Sequence, residues 1–80
     1  MTIEVRLFAT LARFVPPRRS SPDSALLEVP DGSTVADVAR ALGIPDSLTW
    51  LALVNGREAG PQQGLVAGDV VTLFPPLAGG

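Results

Sequence analysis

Asp31-Gly32-Ser33-Thr34-Val35-Ala36-Asp37-Val38-Ala39-Arg40-Ala41-Leu42-Gly43-Ile44-Pro45 is the stretch on which the fold turns. Thr34, with Asp37 three residues on, has the form of a capping box in which aspartate takes the usual glutamate place. Val35, Val38, Ala39 and Leu42 then recur at helical spacing and make one apolar stripe. Gly43 stands where a left-handed residue closes a helix, Ile44 can make the accompanying apolar contact, and Pro45 blocks continuation. Start, face and stop agree on a helix over 34–42. A helix with one apolar stripe must bury it against another layer, so the flanking segments decide what that layer is.

Upstream, residues 2–8 alternate. Ile3, Val5 and Leu7 fall on one face and Thr2, Glu4 and Arg6 on the other, as in a half-buried strand. Phe8 falls on the polar side of that alternation. From Ala9 to Val15 the period changes, with Leu11 and Phe14 three apart, which reads as a short helical turn stopped by Pro16-Pro17. Residues 16–24, PPRRSSPDS, form a polar loop; too little chain precedes them to make a separate domain. Ala25 to Val29 reads as a second strand, with Leu27 and Val29 on one face, ending in the turn Pro30-Asp31-Gly32.

Downstream, Asp46 to Thr49 is a connection, and Trp50 to Val54 is an apolar run ending in Asn55-Gly56, the strongest short hairpin signal. Arg57 to Ala59 returns as a short strand. Gly60-Pro61-Gln62-Gln63-Gly64 is a loop, and Leu65-Val66-Ala67 reads as a turn that plugs the core. Gly68-Asp69 then leads into the last strand, Val70 to Phe74, with Val71 and Leu73 on one face and Val70 and Thr72 on the other. The order is strand, short turn, strand, helix, strand, hairpin strand, strand. That is the outline of an α+β β-grasp, the ubiquitin-like fold: a mixed four- to five-stranded sheet with one main helix across it. With the last strand beside the first, the last strand lies centrally.

Composition narrows the chemistry. Eighty residues make one small domain, expected over 1–74 and followed by a tail at 75–80. The chain has no cysteine to staple it or to build a zinc site, and its 46% apolar content suits a packed core. A net charge of −2 argues against a nucleic-acid partner. Arg18-Arg19, beside prolines and serines, reads as solvated loop. No targeting segment or membrane-length apolar run is visible, so the expectation is a cytoplasmic protein without a membrane partner. The sequence holds no His, Cys, Lys or Tyr, the residues that supply most general bases and covalent nucleophiles. A partner or carrier fits this inventory better than a catalyst.

Local candidates for chemistry reduce to structure. Asp31 to Asp37 resembles a calcium loop, but its glycine is misplaced and Leu42 stands where the closing acid belongs, so no metal is expected. Gly60, Gly64 and Gly68 recur without the lysine a phosphate loop needs. Glu58 and Asp69 read as solvent-facing carboxylates, and Trp50 as packing.

What remains is the end of the sequence, Phe74-Pro75-Pro76-Leu77-Ala78-Gly79-Gly80. Two prolines offer no N–H to a ladder, and two glycines have no side chain to bury. The chain is expected to leave its fold at Phe74 as a thin arm tipped by an α-carboxylate; the competing reading is a frayed terminus.

The start Arg6-Leu7-Phe8-Ala9-x-Leu11, the Val54-Asn55-Gly56 turn, Gly68-Asp69 and the closing FPPLAGG together resemble the MoaD/ThiS family of ubiquitin-like sulfur carriers. The resemblance covers essentially the whole chain and lies nearest the small subunit of molybdopterin synthase. It implies that the Gly80 carboxyl group is adenylated and then thiocarboxylated, donating sulfur for molybdenum cofactor biosynthesis. It further implies three partners: the molybdopterin synthase large subunit, a ubiquitin-activating-like adenylyltransferase that uses ATP, and a sulfur-donating enzyme. No cofactor is expected on the chain itself. Gly79, Ala78, Pro75 and Pro76 would give the tip access to deep sites. Phe8, Phe74 and Leu77 would contact partners, in an assembly of two carriers on a dimeric large subunit. Arg57-Glu58 departs from relatives that present an apolar residue there, which implies more electrostatic registration. The alternatives are sulfur delivery to thiamine, cysteine or tRNA, protein modification, and a non-catalytic β-grasp interaction module.

Overall fold

The computed structural model describes residues 1–16 and 24–76. Its elements are β1 (Thr2–Leu7), a 3₁₀ turn (Ala9–Phe14), β2 (Ser24–Glu28), α1 (Val35–Ala41), β3 (Leu51–Val54), β4 (Arg57–Ala59) and β5 (Val70–Phe74). The five strands form one sheet in the order β2-β1-β5-β3-β4. Only β1 and β5 run parallel; the other three pairings are antiparallel. This is the β-grasp arrangement expected from the sequence, with the last strand at the centre.

The alternation in β1 sets the core. Ile3, Val5 and Leu7 are fully buried, joined by Val71 and Leu73 of β5, Ala25 of β2, and Val35 and Val38 of α1. Leu11 enters from the 3₁₀ turn and Leu65 from the loop before β5, where it plugs the core as expected. Burying a side chain of this size contributes roughly 1.5–3 kcal/mol.

The helix ends account for their own polar groups. The Thr34 hydroxyl accepts from the Asp37 N–H, and the Asp37 carboxylate accepts from the Thr34 N–H at 3.0 Å. The N–H groups of Val35 and Ala36 donate to the carbonyls of Gln63 and Pro61, so a loop far along the chain completes the first turn. At the other end Gly43 adopts φ +84°, and the Gly43 and Ile44 N–H groups donate back to Arg40 and Ala39. This double bond pattern is the glycine-closed helix end foreseen from Gly43-Ile44-Pro45.

Boundaries differ slightly from expectation. Thr34 and Leu42 cap the helix without belonging to it. The second strand runs one residue earlier, Ser24–Glu28, with Val29 still bonded to the Met1 carbonyl. Trp50 precedes its strand, which starts at Leu51. Asn55 and Gly56 both take positive φ, as a two-residue hairpin turn requires.

Two measurements check this account. Leu73→Ala, which hollows the core beneath α1, is expected to cost about 2–5 kcal/mol in urea unfolding. Hydrogen bonding from the Thr34 N–H, then from its side chain, holds the Asp37 carboxyl below its ordinary value of 3.8, with Arg40 acting the same way. The depressed value makes Asp37 stabilising while it is ionised. Its contribution should therefore be present above pH 3.8 and fade as pH falls from there through the folded-state value. Unfolding midpoints of the native chain and Asp37→Asn should accordingly differ near neutrality and converge in acid.

Candidate functional site

The parallel register of β1 and β5 determines what surrounds the end of β5. Arg6 stands beside Thr72 and Leu7 beside Leu73. Phe8 follows in extended conformation, φ −119° and ψ 159°, and its N–H donates to the Leu73 carbonyl at 3.2 Å. The alternation of β1 thus continues one residue past the strand, and Phe8 shares the helix-free face with Glu4 and Arg6. Phe74 ends β5 on that same face, and its direct partner on β3 is Leu51. Phe8, Phe74 and Leu51 therefore form an apolar row across three adjacent strands, at the end from which the tail departs.

Exposure separates this row from the core. Phe8 is 42% exposed and Leu51 48%, while Leu7, Leu73 and Ala52, their neighbours on the opposite face, are buried. Phe74 is partly buried, Pro75 partly buried and Pro76 exposed. A cleft of about 310 Å³ lies beside the Leu51–Phe74 pair, lined also by Ala52, Glu58, Ala59 and Gly60. Charge rims the row. Arg6 and Glu4 pair at 2.7 Å on the same face, and Arg57 and Glu58 are exposed on the short edge strand β4. Glu58, opposite Leu53, shares the face of Leu51 and lies at the margin of the row, whereas Arg57, opposite Val54, is on the other face.

The sequence reading brought Phe8 and Phe74 forward, and the structure places them side by side. Leu51 was missed. It lay inside the apolar run Trp50 to Val54, where no alternation betrayed which residues face outward; its pairing with Phe74 supplies that information. Leu77, Ala78, Gly79 and Gly80 lie outside the described residues, as does Arg18-Arg19. Among the described residues, no group of three or more acidic, His or Cys side chains could hold a metal ion, and no helix is long and apolar enough to cross a membrane.

One carboxylate contradicts its expected role. Asp69 is not solvent-facing charge: it is 8% exposed. Its Oδ1 accepts from Asn55 Nδ2 and its Oδ2 from the Val66 N–H, both at 2.9 Å. The Asn55 side-chain oxygen accepts from the Val70 N–H at 2.9 Å, and the Asn55 N–H donates to the Val70 carbonyl at 2.8 Å. These bonds tie the β3–β4 turn to the first residue of β5. They fix where the central strand begins, and so where Phe74 and the prolines emerge.

The comparisons with known proteins agree with this architecture. The family model for Mut7-C ubiquitin matches residues 1–78. Small archaeal modifier protein 3 of Haloferax volcanii is 34% identical over 97 aligned positions that span all of both chains. The crystal structure of SAMP1 from Haloferax volcanii superposes with a TM-score of 0.70 at 28% identity, covering all of both chains. A chain from the complex of subunits 1 and 2 of the molybdopterin-converting factor of Helicobacter pylori is 21% identical over all of both chains, with a TM-score of 0.60; that likeness is one of fold.

Removing the Asp69 carboxylate should leave the Asn55 amide and the Val66 N–H without their partner, at a cost of about 1–3 kcal/mol. Asp69→Ala is expected to lower the urea midpoint accordingly. Amide exchange should quicken at Val66 and Val70 ahead of the β1 core amides. Equal acceleration throughout the sheet would contradict a local latch.

Proposed function

Because the chain belongs to the Mut7-C ubiquitin family, and so to the MoaD/ThiS-like ubiquitin-like carriers, we propose that it works through the carboxyl group of Gly80. The observation that carries the reading is that the sequence FPPLAGG begins at Phe74, the last residue of the central strand and a member of the exposed row with Phe8 and Leu51. A carboxylate is a poor acyl donor. In the proposed cycle a Gly80 oxygen attacks the α-phosphorus of ATP on an adenylating partner, expelling pyrophosphate. A sulfur donor then delivers sulfur at the hydrosulfide level to the acyl carbon, and AMP leaves. The resulting thiocarboxylate is a sulfur nucleophile at neutral pH. On the molybdopterin reading its sulfur attacks a carbon of a cyclic pyranopterin monophosphate held by a larger synthase subunit. A C–S bond forms as the C–O bond to the phosphate breaks, and the phosphate oxygen keeps the electron pair. Water then cleaves the acyl–sulfur bond to regenerate the carboxylate.

Each part of the tail has a physical task in this cycle. Gly79 and Gly80 let backbone pass a narrow channel in whatever φ each partner requires. Pro75 and Pro76 restrict the base of the arm, which lowers the entropy lost on insertion. Leu77 supplies an apolar anchor beyond the last strand, and Ala78 keeps the following step slender. The Phe8–Phe74–Leu51 row is the proposed docking face, with Glu58 and the Arg6–Glu4 pair giving charge registration at its margin.

A second reading is favoured by the named relative at 34% identity over the full length, a small archaeal modifier protein. There the activated Gly80 acyl group passes to an amine of another protein, forming an amide and releasing AMP and a proton. The two readings share the adenylation step and differ in the acceptor.

Intact mass separates them. After co-expression with its adenylating enzyme and sulfur donor, a sulfur carrier should gain the difference between one sulfur and one oxygen atom. A modifier should appear amide-linked to other proteins. Deleting Gly80, or adding one residue after it, should reduce either transfer to background while the unfolding midpoint stays unchanged. Undiminished transfer would overturn the use of the Gly80 carboxyl group, and partner binding without transfer by the native chain would leave only an inert interaction module. Phe8→Ala and Leu51→Ala should each weaken partner binding by roughly tenfold, the scale of an interface hot residue. Their effect on stability should be about 1 kcal/mol, well below a core truncation, since both side chains are close to half exposed.

A further inference from the structure

We infer that this chain is a chain-terminating modifier: it can be attached to an amine but offers none to a second copy, so each acceptor site carries a single unit. The inference rests on the protein-modifier reading above. All six cationic side chains in the 80 residues are arginine: Arg6, Arg13, Arg18, Arg19, Arg40 and Arg57. Amide formation needs a nitrogen that can shed a proton and attack the acyl carbon. A lysine ammonium, with an ordinary pKa of about 10.4, supplies such a nitrogen, whereas a guanidinium keeps its proton above about 12. An arginine surface therefore provides positive charge without an acceptor.

At Arg40 and Arg6 the geometry does not otherwise demand arginine, whereas Arg13 lies over the Phe14 ring at 5.0 Å, a contact that suits a guanidinium. Arg40 is 71% exposed on α1 and meets Asp37 through one nitrogen at 3.4 Å. Arg6 is half exposed and meets Glu4 through Nε alone, at 2.7 Å. Neither makes the two-pronged carboxylate contact that only a guanidinium can form. Lysine would solvate and pair at both positions, yet arginine stands at each. The Met1 ammonium is also engaged. It donates to the Val29 carbonyl at 2.8 Å and lies 3.4 Å from the Asp31 carboxylate and 3.9 Å from that of Glu28. Attack through this nitrogen would require loss of all three interactions. The arrangement has a second consequence. An acyl-adenylate at Gly80 is open to capture by any nearby amine, and a neighbouring copy of this chain presents no lysine to capture it.

The test is a peptide map after the full chain is incubated with ATP in extract of its own cells. Arg57 is the last arginine and the chain has no lysine, so trypsin leaves the whole segment Glu58–Gly80 on a modified acceptor. That segment is expected on lysines of other proteins and on no residue of the chain itself. Arg40→Lys and Gln62→Lys place an amine on the exposed helix face and in the exposed Gly60–Gly64 loop. Each variant should convert single conjugates into a ladder of self-linked copies, with the segment joined to residue 40 or 62. Wild-type chain linked through Met1 or a hydroxyl would overturn the inference. Lysine variants that modify other proteins but never one another would overturn it too, since the missing amine would then not be the limit. If no variant modifies any protein, the modifier reading itself fails, an outcome distinct from either of these.

Discussion

The parallel pairing of β1 with β5 is the constraint on which the rest depends. It joins residues 4–7 to residues 70–73, nearly the full length of the chain apart. Without it the sheet divides into a two-stranded ribbon of β1 with β2, marginal alone, and a separate three-stranded piece of β3, β4 and β5, and the core is split between them. The pairing is reinforced beyond the strands themselves: the Gly68 N–H donates to the Thr2 carbonyl, the Glu4 N–H to Asp69, and the Phe8 N–H to Leu73. One register then does two things. It sets Val5 beside Val71 and Leu7 beside Leu73 under the helix, and on the other face it brings Phe8 alongside Phe74. The exposed apolar row is thus a consequence of the core's own register, since a slip of one residue would invert both faces together.

The exit of the tail from a central strand also follows. A chain leaving an edge strand could continue along the sheet; one leaving β5 has neighbours on both sides and must rise away from them. Pro75 and Pro76 enforce this, because neither has an N–H to extend the ladder toward β1 or β3. Proline also restricts the residue before it to extended backbone, which keeps Phe74 in line with β5 up to the point of departure. The latch at Asn55 and Asp69 holds the opposite end of that same strand. The five residues Val70–Phe74 are therefore held at both ends, by the latch at one and by the prolines at the other.

Legibility in the sequence followed the range of the interactions. The helix was legible because its signals are local: Thr34 and Asp37 are three apart, and Gly43, Ile44 and Pro45 are consecutive. The face of β1 was legible because its alternation is clean. Asp69 was misread because its partner Asn55 lies 14 residues away, and nothing in the run Gly68-Asp69-Val70 distinguishes a buried acceptor from a surface charge. Leu51 was missed for a related reason, since an apolar run without alternation leaves the face undetermined until a neighbouring strand is placed. The same limit applies to the helix's first turn: no local pattern foretells that Pro61 and Gln63 complete it. Leu77 through Gly80 were assigned from the resemblance, and they lie outside the residues the structure describes.

The inventory of side chains gives the proposed function its internal consistency. An activated acyl group is a hazard to the protein that bears it, because whatever nucleophile lies nearest competes with the intended acceptor. A chain with thiols, imidazoles or lysines near such a tip would lose part of its cargo to itself. Here the sheet end beside the tail presents aromatic and aliphatic side chains, with carboxylates and guanidinium groups at its margin, none of which is an effective acyl acceptor at neutral pH. On the proposed function, activation, sulfur delivery and acceptor choice are left to partners. The domain contributes a stable platform, an apolar face to be recognised and a direction for the arm. Those three requirements are met by the core, by the row of Phe8, Phe74 and Leu51, and by the prolines that follow β5.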